Sequence, residues 1–138
     1  MAAVKELIIA GEDGTISFGD YERSEKTKKN DFEFQGSLYK VKTFADITRL
    51  EKNEAFVYES VPGTAVHGFS ATADSITFEV EGPKDANITL EAEADCDYRV
   101  SVNGVEKDVI HTNVGGKLSF LAELAEKGSA SVEIVKKA

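Results

Sequence analysis

The chain has 138 residues, with 16 basic against 25 acidic side chains and a formal net charge of −9, a field that repels phosphate backbones and anionic membrane surfaces, so neither nucleic acid nor membrane is an expected partner. Leucine, isoleucine, valine and phenylalanine account for 36 residues, which excludes a disordered chain and allows a sizeable core. The one cysteine, Cys96, allows no internal disulfide, and the apolar run near the start, interrupted by Lys5-Glu6, is too short for a secretory signal, so a cytoplasmic protein is expected.

Residues Val4 to Ala10 read as a first strand, closed by the turn Gly11-Glu12-Asp13-Gly14, and Thr15 to Phe18 as a second. From Asp20 to Asp31 no apolar period of either kind exists, which predicts an exposed loop or a mobile edge. Phe32 to Phe34 and Leu38 to Lys42 form a hairpin through Gln35-Gly36-Ser37, with Lys40 and Lys42 alternating outward against Tyr39 and Val41 and guarding an edge strand against stray pairing. Phe44, Ile47 and Leu50 recur at every third position, which fits a helical turn, yet Ile47 to Leu50 also suits a strand. A strand is preferred, paired through Lys52-Asn53-Glu54 with Ala55 to Glu59. Val61-Pro62-Gly63-Thr64 stops a ladder and permits a change of direction, so a domain boundary is placed there, dividing residues 1–62 from 63–138.

Beyond the boundary strands recur about every ten residues: Val66 to Ala71, Ser75 to Glu81, Ala86 to Ala92, Tyr98 to Val102, Val105 to His111, Lys117 to Ala122 and Ser129 to Val135. Tyr98, Val100 and Val102 fall at every second position, and Asn103-Gly104 after them suits a two-residue turn with φ > 0 at both central residues. Further core faces carry Ile76, Phe78 and Val80, Ile88 and Leu90, Leu118 and Phe120, and Val132 and Ile134. Leu121 to Lys127 reads as a strand end plus a turn. The predicted fold is all-β, an N-terminal hairpin unit (1–62) packed on a C-terminal immunoglobulin-like sandwich (63–138).

No metal or other cofactor is expected: His67, His111 and Cys96 lack ligand spacing, and Glu12-Asp13 and Asp95-Cys96-Asp97 lack the ladder of an EF-hand loop. No Gly-x-Ser-x-Gly elbow exists to carry a nucleophile, and 25 acids are too many to single out a hydrolytic pair. Two binding surfaces can be named. Tyr21, Tyr39, Tyr58 and His67 would form an exposed platform for a sugar or a peptide. Strand edges, with the polar stretch 20–31 ordering on contact, would instead pair with a second copy or a protein partner.

The segments Tyr39-Lys40-Val41-Lys42-Thr43, Tyr58 through His67, Phe78-Glu79-Val80-Glu81-Gly82, and Thr112-Asn113 with Gly116 through Phe120 resemble a group of small bacterial proteins called endosialin-like or endosialidase-like, over nearly the whole length. The resemblance supplies no catalytic motif. Sialidases hold the sugar carboxylate with three arginines and use a tyrosine paired with an acid, on a propeller several times longer than this chain. Here Arg23, Arg49 and Arg99 fall in a polar loop, a hairpin and an outer strand face, so a glycosidase is not the expectation. The second half also resembles the immunoglobulin-like modules of carbohydrate-active enzymes, through Tyr98-Arg99-Val100-Ser101-Val102-Asn103-Gly104 and the Thr112 to Phe120 strand. The expected function is a non-catalytic interaction or assembly module, with a carbohydrate-binding module as the alternative.

Overall fold

The computed structural model describes residues 3–11 and 13–137. Among them are thirteen strands and no helix: β1 (Ile8–Ala10), β2 (Ile16–Phe18), β3 (Thr27–Phe34), β4 (Ser37–Phe44), β5 (Ile47–Lys52), β6 (Ala55–Val61), β7 (Ala65–Ala71), β8 (Ser75–Glu81), β9 (Ala86–Glu91), β10 (Asp97–Val102), β11 (Val105–His111), β12 (Lys117–Ala122) and β13 (Ser129–Lys136). They form two antiparallel sheets, one of seven strands in the order β1-β2-β7-β8-β13-β10-β11 and one of six in the order β12-β9-β6-β5-β4-β3. One core lies between them. Phe18, Val80 and Ile134 from the first sheet and Leu50, Tyr58 and Leu90 from the second are fully buried in it, each such side chain contributing roughly 1.5–3 kcal/mol.

Both sheets draw strands from either side of the Val61-Pro62-Gly63 turn. Phe18 of β2 pairs with Val66 of β7, and Tyr58 of β6 pairs with Leu90 of β9. The seven strands after the turn therefore divide five and two between the sheets, unlike a self-contained immunoglobulin-like unit. The physical reason lies in the turn itself. Gly63 donates its N–H to the Ala45 carbonyl, and a Cβ on it would run into the Phe44 carbonyl oxygen, so the turn is wedged against the β4–β5 connection.

Beneath that turn runs a chain of buried hydroxyls. Thr43 Oγ1 accepts the Asp20 N–H (2.9 Å) and meets Thr48 Oγ1 (2.8 Å). The Thr48 hydroxyl donates to the Thr64 carbonyl (2.8 Å), while Thr64 Oγ1 meets both the Tyr58 hydroxyl and Ser60 Oγ at 2.8 Å. Every member is buried and every member has a partner, which is the condition for such groups to be tolerated in a core.

Three local expectations are corrected. The first strand is only Ile8–Ala10, because Leu7 adopts φ 73° and turns the chain after Val4. The stretch from Thr27 onward is the edge strand β3, its lysines tolerated because one flank of an edge strand faces water. Before it, Asp20 is buried rather than exposed and accepts hydrogen bonds from the Glu22 N–H and Arg23 Nε. The two-residue turn at Asn103-Gly104 has φ 52° and 81°, as its hairpin geometry requires.

Candidate functional site

The four residues expected as a binding platform are dispersed. Tyr58 is fully buried at the centre of the core, edge-on to Phe18 with ring centroids 5.2 Å apart, and burial raises its hydroxyl pKa. Its Tyr-Glu-Ser context suggests exposure, but the hydroxyl finds Thr64 inside the fold. Tyr39 is half-buried on the inner face of β4 against Phe34, ring centroids 6.2 Å apart. Tyr21 and His67 do come together. Glu81, buried at the end of β8, accepts a hydrogen bond from the Tyr21 hydroxyl on one carboxylate oxygen and meets His67 Nε2 on the other, both at 3.1 Å.

The chemistry of this Tyr-Glu-His string is that of a locked surface. Partial burial, and then the hydrogen bond to Glu81, push the Tyr21 hydroxyl up to about 12, so near neutral pH it is a protonated donor and not a nucleophile. The arginines do not converge on it as a carboxylate clamp. Arg23 pairs with Asp20, Arg49 with Glu51 and Glu59, and Arg99 with Glu106. His111 lies on β11 with Nδ1 2.7 Å from Asp97, while Cys96 is half-buried with its thiol 3.3 Å from the Ala94 carbonyl oxygen. Among the described residues no group of His, Cys, Asp and Glu could hold a metal ion, and no helix is long and apolar enough to cross a membrane.

A wide concavity lies elsewhere, where the two sheets fail to match in width. The β10–β11 hairpin stands opposite β12, the last strand of the narrower sheet, and between them opens a cleft of about 1000 Å³. Its apolar lining is Val100, Val102, Ile110 and Phe120, with Val105 58% and Leu121 54% exposed at its mouth. Val102 and Phe120 belong to predicted core faces and are only half-buried because they border this opening. The register of β10 on β11 sets which residues look into the cleft. Val100 stands opposite Asp108 and Val102 opposite Val105, with Lys107 extruded as a bulge between the two pairs.

At the far end of the narrower sheet, β3 is the other edge. Its inner face carries Thr27, Lys29, Phe32 and Phe34, which pair with Thr43, Val41, Tyr39 and Ser37. Phe32 and Phe34 are half-buried, and Lys29 is exposed with its ammonium 5.5 Å from the Phe32 ring centre. Comparison with family models, with curated proteins and with solved structures finds no match. Among the described residues, the geometry leaves both edge strands of the narrower sheet, β12 and β3, beside a partly uncovered apolar face.

The sequence points to the stretch 20–31 as a possible mobile edge, which overlaps β3, but gives no sign of the β12 edge. The alternation Val100, Val102 was visible, yet nothing local says that β11 ends a sheet or that β12 ends the other.

Proposed function

We propose that the protein is a non-catalytic interaction and assembly module that works through the edges of its sheets. The observation that carries this is the cleft along β10–β11, with apolar side chains on its wall and the unpaired edge of β12 on its floor. Unpaired backbone N–H and C=O groups beside exposed apolar side chains favour one kind of ligand above others, another extended polypeptide. A sugar platform lacks such support, because Tyr21 sits in the β2–β3 loop against Glu81 of the wider sheet, Tyr39 lies on β4 of the narrower sheet, and Tyr58 lies inside.

The test is the mass in solution by light scattering over a concentration series, at low and at moderate salt. Growth of mass with concentration is expected. A monomer at every concentration up to roughly 1 mM would put any self-association weaker than about 4 kcal/mol and defeat the assembly reading. A sugar array would then be the next screen, and binding there that is lost on replacing Tyr21 or Tyr39 would install the carbohydrate-binding alternative.

A further inference from the structure

The β3 edge and the β11 strand that overhangs the β12 edge carry opposite charges, each on an inner face where apolar residues are the rule. Lys29 stands opposite fully buried Val41, so its side chain leaves β3 on the side of the core. Asp108 stands opposite buried Val100 and lines the cleft, its Oδ1 accepting the Val109 N–H at 2.8 Å. Both are exposed, and among the described residues neither enters an ion pair.

An inward charge on an edge strand blocks pairing with a like edge. Two β3 edges meeting would set Lys29 against Lys29, and two clefts meeting would set Asp108 against Asp108. One β3 entering one cleft sets lysine against aspartate. Strand direction permits this. The six strands of the narrower sheet alternate, so β3 and β12 run in opposite senses, and a copy displaced along the sheet presents β3 antiparallel to β12. Backbone phase permits it too. The Ala92 N–H donates to the Gly116 carbonyl, which in an antiparallel ladder turns the N–H and C=O groups of Ser119 and Leu121 away from β9 and toward the open side, while the Lys117 N–H is taken by Asn113 Oδ1 at 3.4 Å.

Given assembly as the function, we propose that its partner is a second copy of this chain joined head to tail: β3 of one copy adds to β12 of the next, beneath that copy's β10–β11 hairpin. Lys29 then meets Asp108 of the partner subunit, and Phe32 and Phe34 cover the apolar wall of the cleft. Such a contact uses two different surfaces, so it leaves each new end competent to bind again and yields open chains or closed rings rather than a simple dimer.

The experiment uses the full chain at about 0.15 M salt, where the Debye length of about 8 Å screens the general repulsion between acidic copies. Lys29→Glu and Asp108→Lys are compared with the unaltered protein by light scattering and sedimentation, with circular dichroism confirming that each exposed substitution leaves the fold intact. Each alone is expected to weaken association at least about tenfold, because it sets like charges face to face. An equimolar mixture of the two variants is expected to recover it, since every contact between unlike copies again joins a cation to an anion. Association indifferent to both substitutions would overturn the head-to-tail contact and leave assembly standing through another surface. Association strengthened by either would overturn it as well, showing the two charges to be guards against pairing. A monomer throughout would overturn the contact and assembly together.

Discussion

Replacing Thr64 by valine tests whether the buried hydroxyl chain is held together at its centre. Valine has nearly the shape of threonine, so the change opens no cavity and acts through the missing oxygen. That oxygen meets the Tyr58 hydroxyl and Ser60 Oγ, both fully buried, whereas Thr48 uses the Thr64 backbone and keeps its bonds. Two polar groups lose a partner where water cannot replace it, at about 1–3 kcal/mol each, and the added methyl returns a fraction. A net loss of about 2–4 kcal/mol is expected, or about 6–12 °C in Tm for a chain of this size. Tyr58→Phe alone should cost only about 1 kcal/mol, because Thr64 retains Ser60. Combined with Thr64→Val, it removes one of the stranded hydroxyls and should cost almost nothing further. Urea denaturation followed by far-ultraviolet circular dichroism gives all four corners of the cycle. A Thr64→Val loss below about 1 kcal/mol, or additivity within about 0.5 kcal/mol, would refute the account.

The β5–β6 turn places Glu54 at φ 69°, so Glu54→Gly should stabilise the protein by about 0.5–1 kcal/mol in the same denaturation assay. Gly19 has φ 101° and packs so closely that a Cβ would strike the Thr64 carbonyl oxygen; Gly19→Ala should cost about 3 kcal/mol or more, seen as a large fall in the urea midpoint. Tyr21 binds its proton more tightly folded than unfolded, so the stability it supplies is whole below pH about 10 and is lost as pH climbs through about 12. Tyr21→Phe should flatten the fall of stability across that window, measured by urea midpoints at successive alkaline pH values.

Where period and turn chemistry coincide, the sequence is read to the residue: β8, β11 and β12 have the expected limits, and Asn103-Gly104 makes the expected turn. Sheet membership was not readable, because the pairings β2 with β7 and β6 with β9 join segments far apart in the chain, and no local pattern encodes a partner. The start of β3 was hidden by its lysines, which an edge strand accepts and an interior strand would not. Tyr58 shows the limit from the other direction, since a polar tip suggests a rim position until Thr64 supplies its partner within the core. The inner-face position of Lys29 and Asp108 was less legible still. A bulge interrupts the alternation beside each, so counting by twos along the chain assigns the wrong face.

The interleaving of the two sheets also bears on synthesis. Once Val61 has emerged from the ribosome, β3 to β6 can already pair as a meander, each strand with its neighbour in the chain. The apolar face of that meander, with Val41, Leu50 and Tyr58, has its covering layer mostly still to come, in β7, β8, β13 and β10. At about 5–20 residues per second, residues 63–138 take on the order of 4–15 s to appear. For that interval the nascent chain presents a bare sheet with a free β6 edge, and β9 must claim that edge before another chain does.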